Sequence, residues 1–322
     1  MLALVSSSLL LIRPLLKRST TGINLEFARL LLKGGCNVLI ADIGLRPEAE
    51  ELVKEYPNSP KAVFQKTDVT SWKDLDAMMK AAEDNFGQID IVCPGAGVFE
   101  PHWSNFWRPP GTADSKDSPE GNGYKTLDIN ITHPIRVTQL AIPYFIKNGA
   151  SPANPKTIVH IASIAGEMAS LPVPMYHASK WAIHGFVRSL GDLEAKYGIR
   201  VGAVLPGVVK TPLWTDNPEK MKAFNEEKDV WVTPQEVAEV MLAIVEKDKI
   251  STTVADLAAT DDHTEEIIIR GGSCLEVSAG RVRDVPMHNN SGPLGITGNN
   301  VSNFEELYNE TFDLIKPGSS KA

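Results

Sequence analysis

Residues 163 to 180 read SIAGEMASLPVPMYHASK. The stretch ends in Tyr176-His177-Ala178-Ser179-Lys180, a tyrosine and a lysine four positions apart, and it opens on Ser163, thirteen positions before the tyrosine. Four residues is slightly more than one helical turn, so on a helix the phenol and the ammonium share a face. An ammonium beside a phenol favours the phenolate and lowers its pKa from about 10 toward neutrality. A tyrosine tuned in that way exchanges a proton at working pH. Alone, Y-x-x-x-K is a weak signal, because solvated surface helices produce the pair often. Its setting makes it specific: the apolar run TIVHIAS at 157–163 precedes it, a proline-containing loop leads into it, and the apolar WAIHGFV at 181–187 continues from it.

Outward from this stretch, strand and helix patterns alternate. Ile23, Phe27, Leu30 and Leu31 fall at helical spacing, and Gly34-Gly35 stops that helix. NVLIAD at 37–42 is a short apolar run ending in an acid, the pattern of a buried parallel strand. A charged helix over 47–55, a strand over 62–69 and a helix marked by Trp72, Leu75, Met78, Met79 and Ala82 follow. IDIVC at 89–93 reads as a fourth strand before Pro94-Gly95-Ala96-Gly97; residues 98–124 are loop-like, and a long helix runs from about 127 to 146. After the 157–163 strand and a 176–195 helix come a strand at 199–205 and an amphipathic helix at 234–247, with Thr233 placed to cap it and Pro234 in its first turn. Either Ile267–Arg270 or Gly272–Val277 supplies a last strand, and 304–315 forms a short amphipathic helix in a loosely packed tail. No hairpin signal interrupts the series. The expected fold is α/β, a Rossmann-type doubly wound parallel sheet in a single domain with helices on both faces, binding ligands at the carboxyl ends of its strands.

The totals exclude several classes. At 322 residues the chain buries a substantial core, and 43% hydrophobic with 22% charged residues is ordinary for a globular protein. A net charge of -8 and a pI near 5.5, with no local Lys/Arg cluster, argue against nucleic acid. No apolar run is long enough to span a bilayer. Cys36, Cys93 and Cys274 form no C-x-x-C pair and read as reduced thiols in a cytosolic protein. The cluster Asp261, Asp262, His263, Glu265 and Glu266 lacks metal-site spacing and reads as a solvated loop, so no metal is expected. Three N-x-S/T sequons, at Asn130, Asn300 and Asn309, are discounted for want of a secretory signal.

These residues resemble the short-chain dehydrogenase/reductase family over about Gly22 to Val285. The likeness is greatest to its NAD-dependent, hydroxyprostaglandin dehydrogenase-like branch in the form seen in filamentous fungi. The resemblance implies NAD(P)-dependent oxidation of a secondary alcohol or reduction of the ketone. It makes Tyr176 the general acid/base, Lys180 the holder of the nicotinamide ribose, Ser163 the partner of the substrate oxygen and Asn130 the support of a proton relay. As an isolated residue, Asn130 would more often be a surface amide or a helix kink. Gly22 and Ile23 would begin the first helix at the cofactor. Asp42 would accept bonds from the adenosine ribose and repel a 2′-phosphate, favouring NAD over NADP; Arg46 is the counter-hint. Asp68 and Val69 match the adenine contact, although aspartates at strand ends are common. Gly95, Ala96 and Gly97 would allow close backbone approach. Pro206, Gly207, Val209 and Thr211 match the family's P-G-x-V-x-T segment at the nicotinamide, whose bland alternative is a Pro-Gly turn. Leu213, Trp214, Met221, Phe224 and Trp231 follow, and their apolar content suggests a steroid-, terpenoid- or polyketide-like alcohol or ketone; packing under a loop explains them equally well. His177 and His184 read as spectators or pocket walls. The resemblance also implies a homodimer or homotetramer built on the two long helices.

The family's T-G-x-x-x-G-I-G turn is missing. Aligned on Gly22-Ile23, Arg18 stands at the first glycine and Asn24 at the last. One register makes LLLIRPLL at 9–16 the first strand, where Arg13 and Pro14 fit poorly. The other uses Leu2–Val5 as that strand, with residues 9–21 inserted. The organisation therefore reads as an atypical segment 1–21, a dinucleotide-binding domain 22–285 and a tail 286–322. The atypical segment suggests an alternative start, exon or gene-model error. Its Ser/Leu-rich, acid-free character also resembles a transit peptide, so a cytoplasmic location stands beside mitochondrial import by residues 1–20. Two functions follow: an NAD-linked alcohol dehydrogenase or ketone reductase, and a catalytically weakened relative retained as a binding or scaffold protein.

Overall fold

The computed structural model describes residues 2–6, 22–215, 221, 224–225, 227–253, 265–286 and 304–315, with 2–6 and 304–307 described by backbone alone. In chain order the elements are β1 (Leu2–Ser6), α1 (Ile23–Lys33), β2 (Asn37–Asp42), α2 (Pro47–Glu55), β3 (Ala62–Lys66), α3 (Trp72–Phe86) and β4 (Ile91–Cys93). Next come α4 (Lys125–Leu127), a π-helical turn (Asp128–Thr132), α5 (His133–Lys147), β5 (Lys156–Ile161), α6 (Pro174–Ser189), α7 (Leu193–Tyr197) and β6 (Ile199–Pro206). The remainder is α8 (Pro212–Thr215), α9 (Pro234–Glu246), β7 (Lys249–Ser251), β8 (Glu266–Ile268), β9 (Cys274–Ser278), β10 (Arg281–Asp284) and α10 (Phe304–Leu314).

Local chemistry fixes several of these boundaries. Gly35, at φ 85, lets the chain leave α1, while the Gly34 and Cys36 N–H groups bond back to the last turn. Thr233 and Glu236 form a reciprocal capping box at α9 with Pro234 beside them. Ser71 accepts from the Asp74 N–H and starts α3.

Eight strands lie in the order β10-β9-β6-β5-β4-β1-β2-β3. The pairs β2–β3, β4–β5, β5–β6 and β6–β9 are parallel. Their central residues are buried on both faces, which is why they read as largely apolar runs, broken only by residues such as His160 and Arg200. One core packs α1 and α9 on one face through Phe27, Leu31, Val240 and Ile244. The other packs helices of the opposite face through Leu75, Met78, Val137, Phe145 and Ile183. The result is the expected doubly wound α/β sandwich.

Two strands depart from an all-parallel sheet. β1 fills the central slot with Leu2–Ser6, yet it pairs antiparallel to both β2 and β4. That slot needs a strand apolar on both faces, and LALV meets the need in either direction. The IRP-containing stretch at 9–16 lies outside the described residues. β10 pairs back on β9 through Ala279 and Gly280, both at positive φ (47° and 74°). This two-residue turn is a hairpin where none was expected, because positive φ at both centres normally calls for Asn-Gly or Asp-Gly. Of the two candidates for the last strand, Cys274–Ser278 joins the main sheet, whereas Glu266–Ile268 pairs with β7 in a separate two-stranded sheet.

The expected 127–146 helix starts with α4 and is interrupted by the π-turn. The 176–195 helix ends at Ser189. Among the described residues, no helix is long and apolar enough to cross a membrane.

Candidate active site

The carboxyl ends of β2, β4, β5 and β6 open into one cleft of about 910 Å³. Asp42 lies at one end of its lining and Ser163, Tyr176 and Lys180 at the other; Gly22, Ile23, Gly95, Ala96, Gly97, Pro206, Gly207, Val209 and Thr211 line it between. Segments as far apart in sequence as Gly22 and Thr211 meet there because parallel strands deliver their ends to a common edge.

Ser163 follows β5 directly. Its hydroxyl accepts from the Ala165 N–H at 3.1 Å and reaches the Pro206 carbonyl at 3.5 Å. His184 holds its backbone, with Nε2 at 3.2 Å from the Ser163 carbonyl. The imidazole also fills the space a Cβ at Gly166 would need. His184 is therefore a buried brace for the serine. His177 meets the Met168 carbonyl through Nδ1 at 2.8 Å.

Tyr176 and Lys180 sit on one face of α6, both buried, with Lys180 Nζ 5.6 Å from the tyrosine ring centroid. Nζ donates to the Ile161 carbonyl at 2.9 Å. Burial lowers the lysine pKa to about 8. Burial also raises the Tyr176 pKa above its ordinary value, and a hydrogen bond with Ser163 opposes it. The expectation of a lowered phenol is therefore not met in the protein alone: desolvation of the phenolate outweighs the aid of its neighbours.

Asn130 lies within the π-turn, a distortion common at functional sites. Its amide makes two 2.9 Å bonds to the Val98 backbone, one donated and one accepted, and a third to Ser179 Oγ at 3.1 Å. Ser179 in turn donates to the Tyr176 carbonyl at 2.7 Å. Asn130 thus links the backbone just after Gly97 to α6.

Asn24 and Glu100 carry contacts that the sequence reading missed. Asn24 Nδ2 donates to the Gly95 carbonyl at 2.9 Å, and the Cys93 thiol lies 3.6 Å from its Oδ1. It ties α1 to the end of β4 where Pro94 has no side-chain donor to offer. Glu100 sends its carboxylate to two backbone N–H groups, those of Phe106 and Tyr176. Asn24 enters the sequence pattern only as a departure from the glycine turn, with no sign of its partner, and Glu100 lies in a stretch that reads only as loop.

Asp68 and Val69 are not part of the cleft lining. Asp68 accepts from the Thr70 N–H and hydroxyl, forming a turn that leads into α3, and Val69 packs on the core. Phe99 meets Tyr176 edge-on at 4.6 Å and Trp214 at 5.6 Å; Trp214 meets Trp231, which stacks on Phe224 at 3.9 Å. The segment after β6 therefore places aromatic rings at the Tyr176 end of the cleft.

The lining suits a dinucleotide. Gly22 caps α1 without a side-chain bond and, with Ile23 and Asn24, lines the cleft, so the helix's positive end borders it; among the described residues nothing lies within 4 Å of a Cβ built on Gly22. A Cβ on Gly97 would lie 3.6 Å from Asn130 Oδ1 and 3.9 Å from Lys180 Nζ, so the bare backbone there borders those two side chains. Among the described residues, no group of three or more metal-ligating side chains occurs.

Residues 19–222 match the family described as short chain dehydrogenase. The chain belongs to that family. The chain is 28% identical to rat (Rattus norvegicus) 15-hydroxyprostaglandin dehydrogenase [NAD(+)] over 258 residues, covering 74% of the chain and 88% of the relative. It is 31% identical to galactitol 2-dehydrogenase of Agrobacterium fabrum over 200 residues, covering 62% and 71%. A 3-ketoacyl-(acyl-carrier-protein) reductase from Brucella melitensis, solved in complex with NADH, superposes with a TM-score of 0.58 at 23% identity. That likeness covers 81% of this chain and 94% of the reductase, and it bears on the fold. The chain is thus a member of an oxidoreductase family with the fold of nicotinamide-cofactor enzymes.

Proposed function

We propose that the protein transfers hydride between NAD(H) and an apolar secondary alcohol or its ketone. The observation that carries this reading is the convergence of Ser163, Tyr176 and Lys180 at one end of a cleft whose other end holds Asp42. Bound NAD(H) would supply the hydride acceptor or donor. In the oxidative direction Tyr176 takes the hydroxyl proton, and Ser163 donates to the substrate oxygen as charge develops on it. Lys180 and Asp42 would hold the nicotinamide and adenosine riboses, with Gly22, Ile23, Gly95, Ala96, Gly97, Pro206, Gly207, Val209 and Thr211 along the dinucleotide. Asn130 keeps the turn and the catalytic helix in register.

Asp42 supports NAD over NADP, since its carboxylate opposes a 2′-phosphate. Its Oδ1 already accepts from the Ile43 N–H at 2.7 Å, which orients the group. Phe99 and Trp214 support an apolar substrate, because a ring-lined wall gives no partner to a strongly polar one. A homodimer or homotetramer would use α5 and α6, on which Ile135 and Trp181 are exposed; light scattering tests it. A cytoplasmic location fits this reading, with import directed by residues 1–20 as the alternative that fractionation decides.

The second reading is a weakened relative that binds without turnover. It is favoured by the absence of any glycine in the twenty-one residues before Gly22. A panel of secondary alcohols and ketones with NAD(H) and NADP(H), run on the wild type and Tyr176→Phe, separates the two. Turnover lost in Tyr176→Phe with cofactor binding retained supports the enzyme. No tyrosine-dependent turnover and no cofactor binding sinks it.

A further inference from the structure

We infer that Glu100 is a positioning residue whose buried carboxylate locks the first turn of α6 to the loop after Gly97 and so sets the place of the Tyr176 phenol. This rests on the oxidoreductase reading given above. Helix α6 begins with Val173 at the N-cap, which provides no side-chain bond, and Pro174 at the first position, which has no N–H. The next amides need acceptors from elsewhere in the fold. Tyr176 N–H finds Glu100 Oε2 at 2.9 Å, across 76 residues of sequence. The other oxygen, Oε1, accepts from the Phe106 N–H at 3.0 Å. A carboxylate at a helix N-terminus is favoured by the helix dipole, and bonds to a charged acceptor are the stronger kind.

Two features mark this contact as more than a chance cap. Glu100 is only 4% exposed, so the two N–H donors to its carboxyl oxygens replace the water it gave up. It also sits at φ 37, a left-handed conformation that a side-chain-bearing residue keeps only where its surroundings hold it. Its own carbonyl accepts from Asn105 Nδ2 at 3.2 Å, which anchors the far side of the same turn.

The consequence reaches the phenol through the preceding residue. Phe99 stands edge-on to Tyr176 at 4.6 Å, so the peptide that aims the carboxylate also aims the ring that walls the tyrosine. Trp107 Nε1 adds a second latch, donating to the Leu171 carbonyl at 2.8 Å just before α6. With the carboxylate removed, the Tyr176 amide loses its acceptor and this turn of the loop loses its hold on the helix. Glu100 acts through Tyr176, and the carboxylate meets two backbone amides rather than the reacting atoms.

Amide hydrogen exchange on the full chain, with wild type, Glu100→Ala and Glu100→Gln, tests the lock. In Glu100→Ala the Tyr176 and Phe106 amides should both exchange about tenfold faster or more, while in Glu100→Gln the single remaining acceptor oxygen should leave one of them protected. Unchanged protection of Tyr176 in Glu100→Ala overturns the proposal. For position, kcat in Glu100→Ala should fall about 10- to 100-fold with the NADH Kd within about twofold, and added formate should restore part of it by filling the carboxylate site. Wild-type kcat in a variant with a deprotected Tyr176 amide also overturns it. Should the wild type turn over no substrate, the oxidoreductase reading fails by itself. The Phe99 ring-current shift on the Tyr176 ring protons then decides the positioning claim: it moves in Glu100→Ala if Glu100 sets the ring, and its constancy refutes the claim.

Discussion

The Asn24 amide donates to the Gly95 carbonyl at 2.9 Å, joining the first turn of α1 to the turn that follows β4. Asn24 stands where the family has its last glycine, and its side chain occupies the space a Cβ at Gly95 would need. The pairing requires glycine at 95. Gly95→Ala forces the Asn24 amide out of place, and we expect NADH affinity to fall about tenfold or more by fluorescence titration. In the double variant Asn24→Gly, Gly95→Ala the clash is absent, so affinity should return at least in part. Equal loss in the single and double variants rejects the pairing as the cause.

Cofactor choice is the second expectation. The stretch before Gly22 brings no glycine to a turn at which phosphates approach backbone N–H groups, so NADH should bind more weakly than to relatives with the full turn. Titration that returns an intact relative's dissociation constant refutes this. Asp42→Ala should reduce the preference for NADH over NADPH about tenfold by removing the charge that opposes a 2′-phosphate. An unchanged ratio removes Asp42 from the specificity argument.

Much of the fold was legible because burial writes itself into sequence. β2, β5 and β6 are buried on both faces and read as largely apolar runs; α9 announced itself through Thr233, Pro234 and its apolar stripe. Tyr176 and Lys180 were legible for the same reason, since helical spacing sets their shared face. The direction of β1 was not, because LALV satisfies a central slot in either sense. Nor were Asn24 and Glu100, whose partners lie 71 and 76 residues away and include backbone atoms that leave no trace in residue identity. The phenol's raised pKa was missed because spacing reports the neighbouring charge but not the desolvation that outweighs it.

Acid should destabilise the protein through two histidines. His133 and His160 are buried, and burial lowers both pKa values to about 3. Their folded values lie below the unfolded value of about 6.5, so the unfolded chain binds more protons between those limits and stability falls as pH drops. By pH 4.5 the pair should cost about 5 kcal/mol relative to pH 7. Urea midpoints from pH 7.5 to 4.5 check this. His160→Phe should flatten the acid limb by about half, and a limb of unchanged slope would show that other groups control it.

Burying the Lys180 ammonium should exact a measurable stability cost. Its ammonium is buried with the Ile161 carbonyl as a hydrogen-bond partner, and burial depresses its pKa to about 8. Because the folded value lies below the model-compound value of about 10.4, the penalty is complete below pH 8 and is relieved as pH rises toward 10. Lys180→Met keeps most of the volume and removes the charge. It should raise stability at pH 7 by about 2 kcal/mol, show little gain at pH 10, and abolish turnover. Denaturant melts of both proteins at the two pH values, with activity measured in parallel, give the comparison. A variant less stable at pH 7 than the wild type would mean that the Ile161 carbonyl repays the buried charge in full.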